Sequence, residues 1–177
     1  EAVEIFKPDG RVVPVDVNAQ SRVMVDPSQM SQNIYNPNDK VLSVGLPGLE
    51  AGDMIRVATR RDTVKARVPD TWSDYAVFEY TSPLKRIVYE VSGPVERPLA
   101  RMALRDPVAD TVRYACSTNG ARVTHRWEVA DVPRMFEEPN MPPVYTVVQR
   151  LLLSTIPDWR DISRWYWKLS EPRLTAV

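Results

Sequence analysis

One cysteine and one histidine are the residues through which this chain could do nucleophilic chemistry, and their spacing brings them together. Asn119-Gly120 predicts a β-hairpin closed by a type I′ turn, because both central positions of that turn need positive φ and this dipeptide tolerates it. A two-residue loop at that point sets Cys116 opposite Val123, Tyr114 opposite His125 and Val112 opposite Trp127, all on one side of the ribbon. Cys116 and His125 are then diagonal neighbours, roughly 7–8 Å apart between backbones. A thiolate–imidazolium pair would be the reactive form. A reactive cysteine, however, has its pKa lowered by a helix N-terminus or a positive neighbour, and Cys116 is expected in mid-strand among apolar partners. The pattern favours a small buried hydrophobe beside a hydrogen-bonded histidine, with no catalytic residue. The reverse side, with Arg113, Ala115, Ser117, Arg122, Thr124, Arg126 and Glu128, reads as a wet face.

Other chemistry is excluded in turn. No Gly-rich phosphate loop follows a strand, and no strand–turn–helix elbow surrounds a serine. One His and one Cys cannot make a Cys/His metal cluster, and Asp106 and Asp110 lack a calcium-type loop, so neither metal nor cofactor is expected. With 23 basic and 23 acidic side chains, no net field steers nucleic acid or an anionic membrane surface to the chain. No apolar run approaches the ~20 residues that span a bilayer. Val147 to Leu153, the longest candidate, is broken by Gln149 and Arg150. A single cysteine forms no internal disulfide and leaves the compartment open. The chain starts at Glu1 instead of Met, as expected of a trimmed sequence.

Two surface features could bind ligands. Trp72, Tyr75, Phe78 and Tyr80 could line a platform for a glycan or peptide, since aromatic faces stack on apolar ligand surfaces; core and cross-strand packing is the alternative. Arg56, Arg60, Arg61, Lys65 and Arg67 could grip an anion, but Arg56 and Arg60 alternate with Ile55, Val57 and Thr59, which suits a solvated strand face better.

The elements that must carry these residues are strands. A chain of 177 residues is expected to build one core. Its 16 prolines are spread throughout, which argues against long helices. Strand-length stretches run over Val3 to Phe6, Arg11 to Val17, Lys40 to Leu46, Asp53 to Thr63, Thr71 to Tyr80 and Leu84 to Val91. They continue over Leu99 to Leu104, Thr111 to Ser117, Arg122 to Val129 and Val144 to Ser154. About ten strands without intervening helices predict an all-β antiparallel sandwich over residues 1–157. Pro14 would blunt an edge strand, and a monomer is expected. In residues 158–177 the period lengthens to about 3.6. Asp158 can cap a helix whose Trp159, Ile162, Trp165, Tyr166 and Leu169 share one side and whose end fits Glu171-Pro172. That side is expected to pack on the sandwich. Trp167 lies elsewhere, beside Arg160 and Arg164, and either crosses its own sheet or contacts something outside this domain.

Ordered motifs carry a resemblance. Phe6-Lys7-Pro8-Asp9-Gly10 is followed by Leu46-Pro47-Gly48-Leu49 and Ala51-Gly52-Asp53-Met54-Ile55, then by Trp72 leading into Phe78 and Ser82-Pro83. Arg126-Trp127, Glu138-Pro139-Asn140-Met141-Pro142-Pro143, Ser154-Thr155, Asp158-Trp159 and Trp165-Tyr166 complete the series. In this order they resemble the bacterial N-terminal domain of unknown function that precedes transglutaminase-like cores. The resemblance implies a Cys–His–Asp triad in a downstream domain, with its cysteine at a helix start. Cys116 does not match that nucleophile position, and the chain stops after the joining helix. The expectation is therefore a non-catalytic accessory domain, partnered with a downstream transglutaminase-like domain in a periplasmic or cell-surface protein of a Gram-negative bacterium. A stand-alone glycan- or peptide-binding module is the alternative.

Overall fold

The computed structural model describes residues 2–31, 36–66, 68–105 and 111–174. In chain order the elements are β1 (Ala2–Phe6), β2 (Val12–Val15), α1 (Val17–Gln20), β3 (Ser21–Val25), a 3-10 turn (Pro27–Ser31), β4 (Lys40–Val44), β5 (Met54–Ala58) and β6 (Ser73–Val77). They continue with β7 (Leu84–Pro94), β8 (Arg101–Arg105), β9 (Arg113–Asn119), β10 (Arg122–Val132), α2 (Val144–Val147), β11 (Arg150–Ser154) and α3 (Trp159–Leu174). Every strand pairing is antiparallel, so the all-β class expected from the sequence is the one adopted.

Where the sequence leads to one core, the chain forms two compact units, Glu1–Val64 and Lys65–Val177. The first holds a sheet of order β2-β1-β5 and the ribbon β3-β4. Val3 and Ile5, two apart on central strand β1, are both buried, as the period of two requires. Pro14 lies in β2, an edge strand, where a missing N–H costs no ladder bond. Pro8-Asp9-Gly10 turns β1 into β2. Gly10 takes φ of 89°, and the Asp9 carboxylate accepts the Arg11 amide at 3.0 Å. The Lys7 ammonium then donates to the Gly48 carbonyl at 2.7 Å, to Asp53 at 2.8 Å and to Glu50 at 3.1 Å. Two motifs some forty positions apart are thereby clasped together.

The second unit has sheets β7-β10-β9 and β6-β11-β8. Its core draws on both, with Trp127 and Val129 of β10 against Leu151 and Leu153 of β11 and Phe78 just beyond β6. Burying each such side chain stabilises the fold by about 1.5–3 kcal/mol. β11 is late in the chain yet central in its sheet, with Leu151 opposite both Ala76 and Leu104.

Three local expectations change. Ser21–Val25 is an unanticipated strand; it pairs with β4 and exposes Arg22, Val23 and Met24, so no buried alternation marks it. The Val144 end of the last expected strand is the helical turn α2, because the Thr146 amide and hydroxyl both bond the Pro143 carbonyl at 2.7 Å and turn the chain back before β11. The C-terminal helix is capped by Asp158, which accepts the amides of Arg160 at 2.8 Å and Asp161 at 3.2 Å. It runs past Pro172 to Leu174. In place of the packing expected for this helix, none of its residues is buried.

Candidate functional site

The β9–β10 hairpin closes on Gly120-Ala121, since Asn119 pairs with Arg122. Gly120 alone takes positive φ, 57°, which fits a type II′ turn with glycine at its first central position, not the expected type I′. Moving the loop by one residue shifts each partner by two, and an even shift leaves every side chain on its original face. Cys116 consequently stands directly opposite His125, and Tyr114 opposite Trp127.

This face is buried only in part, not throughout as expected: Trp127 is in the core, Val112 packs against it, and Val123 and His125 are half-buried. β9 is an edge strand and all of it is exposed, Cys116 and Tyr114 included; Trp127 on β10 reaches the core. Tyr114 organises the cluster. Its hydroxyl lies 2.8 Å from His125 Nδ1, and its ring packs on Trp127 at a centroid distance of 5.2 Å. Burial and a hydrogen bond with Cys116 push the Tyr114 phenol above its ordinary pKa. Tyr114 therefore engages one of the two imidazole nitrogens of His125. Among the described residues no group of three His, Cys, Asp or Glu side chains is placed to hold a metal ion. Asp106, Asp110 and Arg67 lie outside the described residues.

A groove of about 640 Å³ opens in the second unit, lined by the segment leading into β6, by β7 from Tyr89 to Pro94, and by Val123 and His125 of β10. Trp72, Tyr89, Val91 and Leu99 give it apolar walls, and Asp70, Asp74, Glu90 and Arg97 bring charge. The Tyr89 hydroxyl donates to Asp74 at 2.7 Å, and Arg97 pairs with Asp70 at 3.2 Å. Of the four aromatics considered for a platform, Trp72 alone lines the groove. Phe78 is fully buried in the core, whereas Tyr75 and Tyr80 are exposed, at 64% and 48%. A strand's alternation cannot put positions 75 and 78 on one face, so they form no shared platform. Sequence reasoning missed Tyr89, Asp74, Glu90 and Arg97, whose approach depends on how the two sheets are juxtaposed.

The remaining candidates stay on the surface. Arg56 on β5 pairs with Glu4 at 3.0 Å, in keeping with a solvated strand face; β5 ends at Ala58, short of the expected Thr63, so Arg60, paired with Asp62 at 3.1 Å, lies beyond the strand, and Arg61 and Lys65 are exposed. On α3, Arg160 is exposed, Arg164 pairs with Asp161 at 3.0 Å, and Trp167 is 56% exposed.

A family described as a domain of unknown function with solved structure matches residues 1–136, more than half of the chain. The chain belongs to the DUF3857 family. No curated protein sequence matches it. A 2.00 Å crystal structure from Parabacteroides distasonis ATCC 8503, of a protein described as a candidate protease, superposes on this DUF3857 chain with a TM-score of 0.67. Identity is 21%, and the alignment covers 89% of this chain but 30% of that one. The likeness therefore shows the fold, and this chain spans less than a third of that protein's length. The DUF3857 match ends before β11, although β11 supplies the centre of a sheet and two core leucines. The folded DUF3857 unit thus extends beyond its matched span.

Proposed function

We propose that this DUF3857 chain is a non-catalytic accessory domain of a bacterial transglutaminase-like, cysteine-peptidase-like protein, working in the periplasm or at the cell surface. Its α3 face seats the downstream domain. The observation that carries this reading is the helix itself: it is capped and sixteen residues long, yet Trp159, Tyr166, Trp167 and Leu169 are all more than half exposed. Aromatic and aliphatic groups grouped on a helix with no core beneath it suit an interdomain contact. The share of the P. distasonis protein's length that the alignment leaves uncovered supports the same reading.

Absence of catalysis is argued from the Cys116 surroundings, where Tyr114 occupies His125 Nδ1 on an open edge strand. The gene tests the proposal directly. An open frame beyond Val177 that encodes a Cys–His–Asp domain is expected; a stop codon, with no neighbouring gene supplying such a triad, overturns it. Turnover of a peptide or glutamine substrate by the 177-residue chain, abolished by Cys116→Ser, would also overturn it.

A further inference from the structure

We infer that the groove of the second unit is a binding site for a short neutral oligosaccharide, which lays the apolar face of a pyranose ring on Trp72 and donates its hydroxyls to carboxylates of the groove. This inference does not rest on the accessory reading and concerns a different surface from α3. Three observations carry it. First, the groove is set into the inner face of the β7-β10-β9 sheet. Tyr89, Val91 and Gly93, alternate residues of β7, stand opposite Trp127, His125 and Val123 of β10, and all but Trp127 line it. The Tyr89 and Trp127 rings, with centroids 6.1 Å apart, mark its core end. Gly93 keeps the other end open, since a Cβ there would meet nothing within 4 Å. Second, the polar groups call for uncharged donors. Asp70 is paired with Arg97 at 3.2 Å and Glu90 with Arg126 at 3.3 Å, while Asp74 accepts the Tyr89 hydroxyl at 2.7 Å and the Tyr75 amide at 2.9 Å. With these partners in place the groove does not favour a ligand cation. Acceptor capacity remains, because an ionised carboxylate carries about four lone-pair sites and these bonds use one or two. A hydroxylated ring supplies several neutral donors, whereas an extended peptide offers one amide per residue, and a wholly apolar ligand would desolvate these groups with nothing in return. Third, Trp72 is held ready. Its amide donates to Thr155 Oγ1 at 2.8 Å and its carbonyl accepts the Thr155 amide at 2.9 Å, which fixes the backbone while the residue stays 39% exposed. A tryptophan so anchored offers a stacking surface at little cost in ordering.

The probes are cellotriose, chitotriose and mannotriose, with cationic de-N-acetylated chitotriose, anionic trigalacturonate and a capped lysine–valine peptide as controls. Binding to the 177-residue chain is followed by amide and indole chemical shifts. At least one neutral trisaccharide is expected to saturate, moving the Trp72 indole and the Val91 and Gly93 amides, and to bind at least about tenfold more tightly than the charged and peptide controls. Trp72→Ala is expected to weaken that binding by roughly tenfold as the stacking surface is lost. Its bonds to Thr155 are made through the backbone of residue 72 and survive the replacement. Gly93→Val is expected to abolish binding by filling the groove. Valine suits a strand, the φ of Gly93 is not positive and its Cβ has open space, so the fold is kept. Urea midpoints close to that of the wild type check both variants. No saturable binding of any neutral trisaccharide, equal or tighter binding of a charged saccharide or the peptide, shifts confined to residues outside the groove, or wild-type affinity in either variant would each overturn the inference.

Discussion

The Tyr89 hydroxyl donates to Asp74 over 2.7 Å and so ties β7 of one sheet to β6 of the other at the mouth of the groove. Burial first, and the Asp74 carboxylate second, push the phenol well above its ordinary range. A group with a raised folded pKa stabilises the protein below its unfolded pKa, about 10 for tyrosine, and that stabilisation is lost as the pH rises further. Tyr89→Phe should cost about 1 kcal/mol at pH 7 in urea unfolding followed by tryptophan fluorescence. The gap between wild type and variant should narrow between pH 9 and pH 11. A gap that stays constant would show that the phenol titrates alike in both states.

Phe78 and Tyr75 test the assignment of faces at β6. Phe78→Ala should destabilise the protein by about 3–5 kcal/mol, since it empties a fully buried site between two sheets. Tyr75→Ala should change stability by less than about 0.5 kcal/mol, because its side chain faces water. Denaturant midpoints of the two variants decide it, and equal midpoints would refute the stated faces.

The Lys7 clasp should bracket the pH stability of the Glu1–Val64 unit. Hydrogen bonds from Lys7 and from the Glu50 amide hold Asp53 below the usual carboxylate range, and its stabilisation is lost as the pH falls through that lowered value. Hydrogen bonds to Asp53 and Glu50 raise Lys7, whose stabilisation is lost as the pH climbs past the ordinary lysine range. Asp53→Asn should speed amide exchange across β1 and β5 near neutral pH and flatten its acid dependence. Unchanged exchange would remove the clasp from the stability argument.

Much of the fold was legible because its determinants are local. Pro8-Asp9-Gly10 encodes its own turn, Asp158 its own cap, and Val3 and Ile5 reveal β1 by alternation. The hairpin faces survived a misplaced loop because the resulting shift was even. Burial on those faces was not legible, for whether Cys116 is covered depends on how far the opposite sheet extends. β3 escaped notice because its consecutive residues Arg22, Val23 and Met24 are all exposed, which leaves no alternation to read. The groove was legible only at Trp72. Asp70 and Arg97, like Asp74 and Tyr89, meet through strand register and sheet stacking, which no short sequence window contains.

Cys116 should behave as a surface thiol. Native protein should react fully with an aromatic disulfide reagent within minutes, as the exposure of the residue requires, and Cys116→Ser should shift stability by no more than about 0.5 kcal/mol. Reaction only after urea is added would restore a buried cysteine.

The accessory reading turns on whether α3 is covered in the intact protein. Amide hydrogen exchange along Trp159–Leu174 should be compared between the 177-residue chain and the full-length gene product under identical conditions. The helix is expected to exchange at least tenfold more slowly in the full-length protein, with Trp167→Ala reducing that protection. Equal exchange in the two proteins would contradict a docked helix and, with it, the proposed role.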